Sequence, residues 1–198
     1  MAKIKSGKNG TRKEVIIEKA TQLFLEKGFA ASSMRDLAEH VGVEAASLYN
    51  HIQSKSEILQ EICFKVANQF ISHLEQVEAS QSSAIGKMEI LIRFHIRMML
   101  DEYESIYISD HEWRHLPEPY LSNFLNQRRH YRKRLGAIIE QGIQAGEIKQ
   151  IEPYVAVLTI LSAISGIESW QRSRKTISER DMEENMVKFL VEGLKESQ

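Results

Sequence analysis

The chain has 198 residues, 42% of them apolar and 27% charged, and a formal net charge of −1, which is ordinary for one large or two small globular domains. Three prolines and ten glycines suit long helices better than a loop-rich β fold. The single cysteine, Cys63, leaves no partner for an intrachain disulfide. The polar start MAKIKSGKNGTRKE lacks the apolar core of a secretory signal, and no apolar run approaches the roughly 20 residues of a membrane span. The expected location is the cytoplasm.

The first predicted helix runs from about Thr11 to Lys27, with Ile16, Ala20, Leu23 and Phe24 on its buried stripe and Gly28 as its stop. A short helix follows Ser32 or Ser33, with Leu37, Ala38 and Val41 inward, and Gly42 permits a tight turn. A third short helix covers about Glu44 to His51. Ser54 caps a long fourth helix, with Glu57 at the capping-box position. Its stripe is Ile58, Leu59, Ile62, Cys63, Val66, Phe70, Leu74 and Val77. After the polar break at 79–86, the stripe Leu91, Ile92, His95, Met99 and Tyr103 marks a helix from Met88. Pro117 and Pro119 reset the backbone, and a long helix runs from about Pro119 to Ala145. Another spans about 153–172, apolar nearly all round between Tyr154 and Ile167, and the last covers about 178–195, capped by Ser178. About nine helices and no sheet make the protein all-α.

The near-zero charge conceals an asymmetry. Residues 1–56 hold nine Lys/Arg and six Asp/Glu, a balance of +3, and the remainder holds 17 against 21, a balance of −4. Lys3, Lys5, Lys8, Arg12 and Lys13 precede the first acid, Glu14. Such a basic arm suits phosphate contact, and equally a solvated tail.

Residues 28–55 read GFAASSMRDLAEHVGVEAASLYNHIQSK. Two short helices about a Gly-containing turn form the frame of a helix-turn-helix, which projects one helix into the major groove. Met34-Arg35-Asp36-Leu37-Ala38, Gly42-Val43, Ser47-Leu48-Tyr49, His51 and Ser54-Lys55-Ser56-Glu57 resemble the TetR family of repressors over about residues 11–62, with unbroken spacing. The resemblance implies a three-helix DNA-binding domain with its basic arm (1–56) and a larger helical ligand-binding and dimerisation bundle (57–198). It assigns Ser33 to cap the second helix and hold a phosphate. Tyr49 and Lys55 are assigned to flanking phosphates. Ala45, Ala46, Ser47 and Asn50 are assigned to base edges, Asn50 being able to bond adenine and the alanines to touch thymine methyls. His51 is implied either to reach DNA or to buttress the turn, and packing on the fourth helix is the competing role for Tyr49 and His51. Glu44-Ala45-Ala46 departs from the family's usual Ser-Lys/Arg-Gly, so the recognition helix has no cation and affinity should come mainly from phosphates.

In the second half, Arg128 falls on the same stripe as Phe124 and Tyr131, where a cation needs a carboxylate or an anionic ligand. Arg128, Arg129, Tyr131, Ile138, Ile139, Gly142, Ile143 and Gly146, with Trp170-Gln171-Arg172, resemble the acyl-CoA-responsive branch of the TetR family. This resemblance implies that Trp170 lines a pocket with Tyr131, and that Arg172 and Arg128 meet CoA phosphates; for Arg172 an i,i+4 pair with Glu168 is the alternative. Where that branch has an Asn-Trp pair, this chain has Ser165-Gly166. The family further implies homodimerisation through the last two long helices, where Ser162, Ser165 or Gly166, and Ser169 form a small-residue stripe suited to a partner helix or to intrachain packing. His111 and His115, at i,i+4, lack further ligands for a metal set. No metal, no cofactor, no membrane association and no enzymatic activity are expected. The expected function is ligand-released repression, with double-stranded operator DNA and a small-molecule effector as partners, and the second resemblance implies a CoA thioester as that effector. The alternative is a DNA binder of the same fold that recruits protein partners without an effector.

Overall fold

The structure is a computed structural model, and it describes residues 11–173 and 177–196, the side chains at 172 and 173 excepted. Lys3, Lys5 and Lys8 of the basic arm and the side chain of Arg172 therefore lie outside the described residues.

Ten α-helices and one 3-10 turn make up the described chain: α1 Arg12–Lys27, α2 Met34–Val41, α3 Ala45–Tyr49, α4 Lys55–Glu78, α5 Ala84–Asp101, α6 Tyr103–His111, the 3-10 turn Trp113–His115, α7 Tyr120–Gln144, α8 Pro153–Ser165, α9 Ile167–Ser173 and α10 Glu179–Glu192. The all-α class expected from the apolar spacing is borne out. Two expected helices are each divided. The chain breaks between α5 and α6 at Glu102, and Gly166, whose N–H reaches back to Ala163 O at 3.1 Å, separates α8 from α9.

The helices group into two compact units. One comprises the chain up to Val66 with Glu104–Leu125; the other comprises Ala67–Tyr103 with the chain from Asn126 onward. Residues 104–125, read from the sequence as part of the second domain, thus cluster with the first unit. In that unit α1 begins with a reciprocal capping box between Thr11 and Glu14. Its stripe of Ile16, Ala20, Leu23 and Phe24 is buried, α1 packs on α2, and Leu37, Ala38, Leu48 and Ile52 complete a small core. Lys13 reaches α4 through Glu61 at 2.7 Å and Glu57 at 3.3 Å, an exposed pair of contacts of little stabilising weight.

In the second unit α5 packs against α8, α9 and α10. Glu183 of α10 takes Arg93 at 2.8 Å and Arg97 at 3.0 Å, while the buried Gln171 amide donates to Met99 O and Leu100 O at 3.3 Å. The turn after α7 brings Ile148 opposite Lys195 in an isolated bridge, and no strand forms among the described residues. By length and composition the 19-residue stretch Pro153–Gln171 is long and apolar enough to cross a membrane. This corrects the expectation that no apolar run approaches such a length. Only 22% of the stretch is buried, and it leaves Tyr154, Val155 and Leu158 exposed.

Candidate functional site

Local chemistry builds the first site. Ser33 caps α2: the Asp36 N–H donates to its hydroxyl at 3.1 Å, and the Ser33 N–H donates to the Asp36 carboxylate at 2.9 Å. The Ser33 hydroxyl also donates to that carboxylate, and Lys27 pairs with it at 3.0 Å. The hydrogen bonds from Ser33, followed by Lys27, lower the Asp36 pKa to about 2. The capping expected of Ser33 is therefore present, but its hydroxyl and amide both point to Asp36, so a phosphate would have to displace that carboxylate. Gly42, at φ +78°, ends α2 in the left-handed region with its N–H on Ala38 O and Glu39 O.

That turn sets α3 on its anchor, Leu48, which is fully buried. The remaining side chains face outward. Ala45, Ala46 and Asn50 are exposed, Tyr49 is 52% exposed, and Ser47 and His51 are half-buried.

Lys55 is placed differently from its expected position at a flanking phosphate. Its ammonium donates to Phe29 O at 2.9 Å, Ala30 O at 3.3 Å and Ser32 O at 2.8 Å, and it lies 4.5 Å from the centre of the Phe29 ring. All three N–H donors are committed to the α1–α2 loop, so the geometry makes Lys55 a clamp on that loop. Phe29 is also held from the far side of the unit. Its N–H donates to Glu112 Oε1 at 3.3 Å, and its ring lies 5.2 Å from that of His115. His111 Nδ1 lies 2.9 Å from Tyr107 O, and no metal-ligand group occurs among the described residues.

In the second unit Arg128 is half-buried and already engaged by a neighbour, and Trp170 on α9 is half-buried. Tyr131 is buried, with its hydroxyl 2.7 Å from His95 Nε2. Phe70 of α4 stacks on the His95 ring at 4.4 Å, and His73, also on α4, stacks on Phe94 at 3.8 Å. Burial, with a smaller push from His73, lowers the His95 pKa to about 3, and burial raises that of Tyr131. Both groups are uncharged at neutral pH. Of this cluster the sequence singled out only Tyr131 as a candidate ligand contact. His95 gave a signal that went unused, a histidine inside an otherwise apolar stripe. Phe70, His73 and Phe94 gave none.

Residues 16–62 match the family described as bacterial regulatory proteins of the tetR family, and residues 81–194, more than half the chain, match the tetracyclin repressor-like C-terminal domain. The chain belongs to the TetR family. Its TetR relatives include the HTH-type transcriptional repressor KstR2 of Rhodococcus jostii RHA1, 22% identical over 96% of this chain and 93% of that protein. The fatty acid metabolism regulator protein of Bacillus subtilis is 22% identical over 90% of this chain and 93% of its own length. Among solved structures, the ketosteroid regulator KstR2 of Mycobacterium tuberculosis superposes with a TM-score of 0.88 at 19% identity, covering 97% of this chain and 99% of that one. AibR, solved with isovaleryl coenzyme A and operator DNA, superposes at 0.81 with 22% identity, covering 91% of this chain and 98% of its own. These relatives are transcriptional regulators, and the TetR helix-turn-helix described above is a DNA-binding module.

Proposed function

We propose that this TetR protein is a ligand-responsive transcriptional repressor that binds a pseudo-palindromic operator as a homodimer and is released by a small effector, an acyl-CoA thioester, held in its second unit. The observation that carries the DNA reading is the outward face of α3: Ala45, Ala46, Tyr49 and Asn50 are exposed around a single buried anchor, Leu48. With no cation on this face, base contact falls to Asn50 and van der Waals contact to the alanines, and Tyr49 donates to a phosphate. Ser47 and His51 sit at the edge of the contact. Ser33 and Lys55 act indirectly, by fixing the start of α2 and the loop before it.

Homodimerisation is supported by exposed apolar groups on two helices. Tyr154, Val155 and Leu158 of α8 and Phe189 of α10, the last 79% exposed, are outward, and Ser162, Ser165, Gly166 and Ser169 are exposed along α8 and into α9. A twofold reader with half-sites one helical turn apart, about 34–36 Å, requires two copies. The thioester reading is supported by the likeness to AibR with its bound isovaleryl coenzyme A and by the position of Trp170 beside Gln171, which ties α9 to α5. Release follows if the effector prefers the conformation that binds DNA less well.

Fluorescence anisotropy on DNA from the protein's own promoter region tests this reading. Tyr49→Ala should weaken binding about tenfold, roughly the value of one good phosphate contact and its ring packing. Asn50→Ala should change preference at one base position. Isovaleryl-CoA or a longer acyl-CoA should release the wild-type protein from DNA but not Trp170→Ala. Unchanged binding by both α3 variants would move the interface elsewhere, and a CoA panel without release would end the thioester assignment.

A further inference from the structure

Two buried acceptors flank the His95–Tyr131 pair without a hydrogen-bond partner among the described residues: His73 Nε2 on α4 and Gln127 Oε1 on α7. His73 Nε2 has no hydrogen-bond partner, and burial lowers the His73 pKa from its ordinary 6.5, so the ring is neutral at pH 7 and one of its nitrogens is a lone-pair acceptor. Gln127 stands one helical turn before Tyr131 on the same face of α7. An unsatisfied buried polar atom costs about 1–3 kcal/mol, and native interiors rarely hold such atoms without a reason. Between these acceptors, Phe70, Phe94 and His95 are only half-buried, although His95 has α4 on one face and Tyr131 of α7 on its edge.

Arg128, beside Gln127 on α7, already has an interaction partner of its own. Arg134, one turn beyond Tyr131, is held by Glu78 through two hydrogen bonds and lies 3.7 Å from Glu75. Arg93 and Arg97 are spent on Glu183, and Lys87 donates to Glu78 O. A carboxylate brought here would be desolvated beside cations that already have carboxylate or other partners. A hydroxyl, by contrast, brings the donor that the acceptors lack, and the aromatic faces take an apolar body.

We propose that Phe70, His73, Phe94, His95, Gln127 and Tyr131 form a subsite for the uncharged, hydroxyl-bearing part of an apolar effector. The effector hydroxyl donates to His73 Nε2 or Gln127 Oε1 and accepts from the His95–Tyr131 pair, while the carbon skeleton lies against Phe70 and Phe94. The inference rests on the reading that the second unit takes an effector, but not on that effector being a thioester.

The test uses the full chain with the neutral dye Nile red as reporter and 2-octanol, 2-octanone and octanoate as competitors. In wild-type protein 2-octanol should displace the dye at about 5- to 10-fold lower concentration than in Tyr131→Phe or His73→Phe, the value of one or two neutral hydrogen bonds. 2-Octanone should differ by less than about twofold between the same proteins, and octanoate should be the weakest competitor. An alcohol that competes equally in wild type and variants, a ketone that loses as much as the alcohol, or an octanoate that outcompetes both would overturn the hydroxyl subsite while leaving an effector site standing. Dye that no competitor displaces would remove the effector reading as well. Should the variants fail to fold by circular dichroism, the wild-type ranking of alcohol above octanoate decides alone.

Discussion

Three carbonyls from one loop meet the Lys55 ammonium, and Phe29 closes the space beneath it. Removing the cation leaves those acceptors to water and unties the segment that leads into α2. Lys55→Ala should therefore cost about 2 kcal/mol in urea unfolding and weaken DNA binding, while the slope of log affinity against log salt stays unchanged. A slope reduced by about one, with stability intact, would instead put the ammonium on a phosphate. His95 makes a second prediction. Its folded pKa, about 3, lies below the ordinary 6.5, so between these values the unfolded chain binds the proton first. Its contribution to stability is complete above pH 6.5 and is lost as pH falls toward 3, by up to about 1.4 kcal/mol per pH unit. His73 acts with the same sign. Between pH 6.5 and 4.5, above the range where Asp36 titrates, His95→Gln should flatten the fall of unfolding free energy measured in urea. An equal slope in both proteins would contradict the burial of that imidazole.

Among the glycines of the described residues, Gly142 of α7 has the tightest surroundings. A Cβ there would stand 2.5 Å from Ile148 Cδ1, 2.7 Å from Ile148 Cγ1 and 2.9 Å from Ala84 Cβ. Gly142→Ala should gain about 1 kcal/mol in helix propensity but lose about 1–3 kcal/mol to overpacking. Thermal melting should show a net loss that Ile148→Val, by removing Cδ1, partly restores. Where a boundary depends on neighbouring residues, the sequence marked it: the start near Thr11, Gly42 after Val41 and Ser178 ahead of α10; the reciprocal caps that Glu14 and Asp36 make with Thr11 and Ser33 emerged only from the structure. The α5–α6 break at Glu102 was not legible beforehand, because no Pro or Gly marks it. The Lys55 clamp was equally invisible, since its acceptors lie 23 to 26 residues away and no helical periodicity brings them together. The His95–Tyr131 bond, spanning 36 residues, depends on the register of two helices, which apolar spacing leaves open.

For the whole molecule, α8 and α10 carry the most exposed large apolar side chains among the described residues. Tyr154 is 59% exposed, Val155 55% and Phe189 79%. The sequence showed Tyr154 to Ile167 as apolar nearly all round, which calls for cover on several sides, and the chain itself supplies cover on only some. Phe189→Glu should convert a dimer to monomers in sedimentation velocity at micromolar concentration, with helix content unchanged; a species of one size in both proteins would exclude this face from assembly. The one sulfur-bearing thiol, Cys63, is fully buried on α4. A thiol-reactive reagent can therefore modify the native protein only when that stretch transiently opens, so alkylation kinetics become a clock for local breathing. Any compound that tightens the protein should slow that clock, even before its binding site is known.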